Sequence, residues 1–285
     1  MPSFILHSAL ITHHSSFPFP LCRLGLATRG NGHLDRDAVM AAIDRGVNYL
    51  NWCGHDDALR ACIRQLGPRR RQVAVAVQLE ARSAADARRE LDRVLGELQT
   101  DYLDVVTYYY VEHADEWDEI TAHGGAAEVL QTARADGRVR LIGLTSHQRP
   151  LAARLAADAS QQQPARLDLL MVRYNAAHRR AEREVFPITA ALQMPVVAFT
   201  CLRWGALLQP TPSDPPGFIV PRAPDWYRFV LANPAVAVAL SAPDNSAELS
   251  EDLTLLDRDC PLDPAHYQTL QSHGDRVRLH AGDFS

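Results

Sequence analysis

The chain has 285 residues, 47% hydrophobic and 22% charged, with a net charge of −5 at pH 7. That length allows one sizeable core, and the mild acidity provides no cationic track for nucleic acid. No apolar run approaches the ~20 residues of a membrane helix, and the N-terminus lacks a basic region followed by an apolar core.

The five cysteines (Cys22, Cys53, Cys62, Cys201 and Cys260) are odd in number and lack metal-type spacing, so reduced thiols in a cytoplasmic protein are expected. All 29 basic residues are arginine. Schiff-base and phosphate-loop lysine chemistry is thereby excluded, as is a lysine tuning the acidity of a neighbour.

Phe4–Pro20 reads as a small hairpin or flap. Its paired His13 and His14 have no third ligand near them in sequence, so no metal site is expected. Leu21–Thr28 is a first strand, Arg29–Gly32 its loop and Asp35–Arg45 a helix. The loop's glycines do not form the dinucleotide fingerprint G-x-G-x-x-G. Val47–Trp52 is the second strand, Ala58–Gln65 a helix and Val73–Leu79 the third strand. Ser83–Gln99 is helical, with Ala87, Leu91, Val94, Leu95 and Leu98 on one face. Tyr102–Tyr110 is almost continuously apolar and aromatic, as a strand buried on both faces of a parallel sheet requires.

An acidic loop over Glu112–Glu119 then leads to a helix at Ala126–Arg134. The fifth to eighth strands follow at Arg140–Thr145, Leu167–Tyr174, Pro195–Cys201 and Ala235–Leu240. Helices are expected at Pro150–Ala157, Glu182–Leu192, Asp225–Ala232, Ser246–Leu256 and, briefly, Ala265–Gln271. The Pro-rich stretch Pro210–Pro224 is too long for a simple turn and reads as a lid. Eight strand–helix alternations without a domain linker imply one α/β domain over 1–285, a (β/α)8 TIM barrel. Its flap is 1–20, its barrel 21–257 and its tail 258–285, and its site lies at the C-terminal ends of the strands.

The run T-D-Y-L-D before a hydrophobic strand resembles the aldo/keto reductases. So do L-G-L-A-T, D-R-G-V-N-Y-L, G-R-V-R-L-I-G-L-T-S, R-Y-N, V-V-A-F-T and A-E-L-S-E-D-L, in that order over about Leu21–Asp257. The resemblance implies a nicotinamide-dependent carbonyl reductase in which a tyrosine donates the proton. A paired Asp and Lys lower that tyrosine's pKa, and a histidine orients the substrate. Aligned here, the Asp position is Asn51, the Tyr position falls on or beside His55-Asp56, the Lys position is Gln78 and the His position is Tyr109. All four groups are replaced, and two amides cannot shift a phenol as a charge pair does.

The cofactor positions align with Thr145, Ser146, Met171 and Phe199, and with Ala242, Asp244 and Asn245 near the eighth strand. Phe199 can still stack on a nicotinamide. An aspartate at 244 repels a 2′-phosphate, so the resemblance points to NADP or NAD while the residues leave open that there is no cofactor.

By alternation from the matched positions, Asn51, Gln78, Tyr109, Arg173 and Phe199 face the barrel axis. Trp52, Cys53, His55, His147, Asn175, Arg203 and Trp204 surround them, and of Tyr108, Tyr109 and Tyr110 two are expected to pack away from the pocket. The arginines suit a small anionic ligand. Tyr109, His55 and His147 are the candidate acid–base groups, beside Asn51 and Gln78. Three readings remain open: a rebuilt site acting on or binding a small polar or anionic molecule, an NAD(P)H oxidoreductase whose proton donor has moved to Tyr109, and a non-catalytic binding or regulatory subunit.

Overall fold

In the computed structural model, which describes residues 10–28, 33–159, 166–257 and 262–280, the apolar strands close into a barrel. The Arg29–Gly32 loop, residues 1–9 of the flap, the Gln161–Pro164 linker, Cys260 and the end of the tail lie outside the described residues.

A short antiparallel pair, β1 (Ile11–Thr12) and β2 (Leu21–Cys22), precedes the barrel. The expected first strand therefore divides: Leu21–Cys22 belongs to the hairpin, and β3 (Leu24–Ala27) to the barrel. Phe17 of the hairpin packs edge-on against Tyr49 inside the barrel, with ring centroids 6.4 Å apart, and closes its floor.

Strand–helix units follow in chain order. They are α1 (Arg36–Asp44), β4 (Tyr49–Trp52), α2 (Ala58–Gln65), β5 (Ala74–Leu79), α3 (Ala84–Leu98), β6 (Leu103–Tyr108), α4 (Ala114–Thr121), α5 (Ala126–Ala135), β7 (Val139–Ser146) and α6 (Arg149–Ala159). Then come β8 (Leu169–Arg173), α7 (Ala181–Glu184), α8 (Phe186–Ala191), β9 (Val196–Phe199), α9 (Ala223–Leu231), β10 (Val236–Ser241), α10 (Ser246–Leu253) and α11 (Pro264–His280). Strands β3 to β10 pair in parallel and in sequence, and β10 closes on β3.

Alternation sorts the side chains into two cores. Leu50, Val75, Val106, Ile142 and Leu170 face the helices, whereas Tyr49, Ala76, Val105, Leu141, Leu169 and Met171 fill the barrel. Gly25 lies on the inner side, where an added Cβ would sit 2.8 Å from Val238 Cγ1 and 3.1 Å from Tyr49 Cδ1.

Three segments differ from the sequence reading. The acidic stretch after β6 is the helix α4, because Glu116 accepts from the backbone of Glu112 and His113 while Trp117 and Ile120 turn inward. The expected Glu182–Leu192 helix is two pieces, interrupted at Val185 ahead of Pro187, which cannot supply a backbone donor. The last helix runs on to His280 because Leu270, His273, Gly274 and Val277 pack against the barrel. Among the described residues no helix is long and apolar enough to cross a membrane.

Candidate active site

The C-terminal ends of the strands surround a cavity of about 630 Å³. Its floor is the inner side of β4 and β5, where Gln78 Nε2 donates to Asn51 Oδ1 at 2.6 Å and lies 3.6 Å from Met171 Sδ. Asn51 Nδ2 in turn reaches Cys53 Sγ at 3.4 Å. Cys53 is exposed at the rim, yet partial desolvation of its thiol beside the cavity pushes the pKa up, which keeps it protonated and a poor nucleophile. Trp52 is buried and holds the next loop by donating from Nε1 to His55 O at 2.8 Å; His55 itself is exposed at the rim.

Beside this amide floor, after the neighbouring strand β6, begins an aromatic wall. Tyr108 packs outward, edge-on to Trp117. Tyr109 and Tyr110 both line the cavity, because Tyr110 adopts a left-handed φ of 41° and breaks the alternation that would have turned it away. Their rings stack at 3.9 Å, and Tyr110 continues onto His147 at 4.4 Å. Phe199 lies 5.4 Å from His147. Burial raises the pKa of both tyrosines, so both phenols are protonated at neutral pH. His147 is pushed below its ordinary value, first by burial and then by Arg173 and Arg149, against the opposing pull of Glu112. Glu112 Oε1 accepts from the His147 backbone N–H at 2.7 Å and lies 3.7 Å from its Nδ1.

The other sequence candidates divide between the cavity wall and its surroundings. Thr145 lines the cavity, with its hydroxyl 2.8 Å from that of Thr107. Ser146 is buried, and its Oγ accepts from Gln148 N at 2.9 Å. Asn175 braces its loop, accepting from Ala177 N and His178 N and donating to Thr200 O at 2.8 Å. Asn245 caps α10 through the backbone of Ala247 and Glu248. Arg173 tops β8 on the inward side of Met171 but stands outside the cavity wall; Arg203 is buried beyond β9, and the exposed Trp204 lines the cavity.

Tyr110, Glu112 and Arg149 were not among the sequence candidates. Only the Tyr-Tyr-Tyr run and the shortness of the steps after Tyr109 and His147 hinted at them. Among the described residues no group of three or more His, Cys, Asp or Glu could hold a metal ion.

Beyond Leu202, Trp204, Tyr227 and Ala242 the mouth continues into a side cavity of about 460 Å³. Asp244, Glu248, Glu251 and Asp252 line it, and its Arg222 is held by Glu251 at 2.6 Å.

This barrel and mouth match a known sequence pattern: the model of the aldo/keto reductase family covers residues 29–218. The chain belongs to the aldo/keto reductase family. The match stops before β10, the strand beside the acidic side cavity.

An uncharacterized oxidoreductase, YrpG of Bacillus subtilis (strain 168), is 29% identical over 120 residues, 42% of this chain and 35% of that protein. The match thus spans about a third of that relative's length. The aldo-keto reductase AKR11C1 of Bacillus halodurans superposes in its apo and holo forms with TM-scores of 0.71 and 0.73. The identities are 18% and 17%, over 92% of this chain and 95% of that one.

Aldo/keto reductases generally use NAD(P)H. In this chain the Thr145 hydroxyl is hydrogen-bonded with that of Thr107, Met171 presents a sulfur, and the side cavity combines the acidic side chains with one arginine, Arg222.

Proposed function

We propose that this aldo/keto reductase family member binds and acts on a small polar molecule at the barrel mouth through neutral hydrogen-bonding groups, without the charged four-residue machinery the resemblance implies. The observation that carries this reading is the 2.6 Å amide–amide contact between Gln78 and Asn51, at the positions matched to the family's Lys and Asp. Two amides leave a neighbouring phenol at its own pKa, and burial raises it further. Tyr109 and Tyr110 therefore serve as donors toward a substrate oxygen, and the neutral His147 is the group able to accept a proton.

The test is turnover of aldehydes and ketones with NADPH and with NADH, alongside titration of each dinucleotide against tryptophan emission. Trp204, which lines both cavities, is the reporter. The expected result is no saturable quenching by NADPH and carbonyl reduction slower by about 100-fold or more than in a family member with all four groups, the scale of a lost general acid. Micromolar NADPH binding with brisk reduction would overturn the reading and restore a relocated donor at Tyr109, in which case Tyr109→Phe would abolish the rate.

A further inference from the structure

The hydrogen bonds of the amide floor run in one direction and leave one acceptor over. The Cys53 thiol donates to Asn51 O at 3.8 Å, and its sulfur accepts from Asn51 Nδ2 at 3.4 Å. Asn51 Oδ1 is thereby turned to Gln78, whose Nε2 donates to it at 2.6 Å and reaches Met171 Sδ at 3.6 Å with its second hydrogen. The two sulfurs orient both amides, because a carbonyl oxygen in place of either nitrogen would face sulfur lone pairs. Gln78 Oε1 remains, and among the described residues no donor reaches it. The side chain is only partly buried and lines the mouth cavity, so this acceptor is open to a ligand there.

A donor stands just above it. Gln78 lies beside Thr107 in the β5–β6 pairing, and Tyr109 N donates to Leu79 O at 2.9 Å. Tyr109 is thus one inward layer above Gln78 on the neighbouring strand exit, with its protonated phenol in the same cavity. The rings of Tyr109, Tyr110 and Phe199 supply a broad aromatic lining. The charged side chains of the cavity, Glu80, Glu90 and Arg93, lie toward α3, where Arg93 is paired with Glu97 at 2.9 Å. A carboxylate or phosphate has no hydrogen to give Gln78 Oε1, and the floor holds no cation to offset its desolvation. A neutral group with an N–H beside a carbonyl satisfies both the acceptor and the phenol, and a flat one covers the rings.

We propose that the mouth selects a neutral, planar molecule with an N–H beside a carbonyl, a lactam or cyclic imide, which donates to Gln78 Oε1 and accepts from the Tyr109 hydroxyl. This rests on the neutral-mouth reading and narrows its small polar molecule to one class.

The experiment measures binding of carbostyril, a flat bicyclic lactam, and of N-methylcarbostyril by calorimetry in the absence of cofactor. Carbostyril is expected to saturate the wild type. The N-methyl form should bind about tenfold more weakly or worse, the scale set by an acceptor left unpaired. Gln78→Met, which keeps the side chain's length and removes Oε1, should bind the two ligands alike. Tyr109→Phe should weaken carbostyril about tenfold and keep the preference for the N–H form. Both variants are checked for native circular dichroism, and the comparison of the two ligands in the wild type stands whether or not Gln78→Met folds. The proposal is overturned if carbostyril does not saturate the wild type, if the wild type binds both ligands alike, if the preference survives in Gln78→Met, or if Tyr109→Phe binds carbostyril as the wild type does. Because binding is read without turnover, brisk NADPH-dependent reduction would end the proposed function and leave this result standing, whereas loss of the N–H preference would end this proposal alone.

Discussion

Two buried carboxylates on the barrel show how local partners set a residue's role. Asp104 on β6 receives Arg70 at 2.6 Å, Arg140 at 2.7 Å and the Val75 N–H at 2.9 Å, and the same two guanidiniums cover the Tyr102 ring. Removing it by Asp104→Ala leaves both arginines without that carboxylate and should cost about 3–5 kcal/mol in urea unfolding. Asp252 is different. It accepts from Ser241 at 2.5 Å, while burial, with Glu251 and Glu248 nearby, raises its pKa from 3.8 to about 7. Between those two values the folded protein holds a proton that the unfolded chain has released. Stability therefore falls as pH rises through that window and levels off above it, at up to about 1.4 kcal/mol per pH unit. Asp252→Asn, which keeps an acceptor for Ser241, should match the wild type near pH 4 and be the more stable protein at pH 8. Parallel unfolding curves at those two pH values would show that Asp252 is ionised in the fold.

The elements that escaped sequence reading are those whose position depends on a distant partner. β5, β6 and α3 were legible because strands buried on both faces and amphipathic helices carry their own pattern: Ser83 caps α3 through Asp86 N, and Gln99 ends it in a left-handed turn. Tyr110 was not, since strand parity assigns it outward and only its φ of 41° turns it in. Nor did the Pro-rich stretch disclose that it is fastened to α11. Asp214 Oδ1 lies 2.6 Å from Arg276 Nε and 3.1 Å from His273 Nδ1, and Phe218 stacks on His273, which stacks on Trp226. Against the upward push of burial, the Thr211 N–H, Arg276 and His273 hold the Asp214 carboxylate down at about 2. That fastening is at full strength above about pH 4 and is lost as pH falls through 2. Asp214→Asn should lower stability by about 1–3 kcal/mol and speed hydrogen exchange over 211–222 and α11 together. Faster exchange in one without the other would mean that the two are not joined through this carboxylate.

At the scale of the whole molecule, the sequence carries the barrel in many weak, redundant signals and the site in a few unrepeated ones. Eight apolar strands can each tolerate an error in their ends, as the displaced start of β3 and the divided helix at Val185 do here, and the closed order still follows. The mouth has no such redundancy: the amides Asn51 and Gln78 were readable as facing the axis, but their mutual hydrogen bond and the Tyr109–Tyr110–His147 ring stack depend on closure. A scaffold held this way should be indifferent to which groups occupy its floor, provided they satisfy each other. Gln78→Lys alone would set an ammonium against Asn51 Oδ1 and Met171 Sδ, and Asn51→Asp alone a carboxylate against an amide. Each should destabilise by about 1–3 kcal/mol through desolvation of a charge without its counterpart. The double variant places the two charges at the 2.6 Å contact the amides now make and should recover about 1–3 kcal/mol of coupling in a double-mutant cycle. Simple additivity of the two losses would mean that the positions part when charged, and that the floor is tied to its neutral pair.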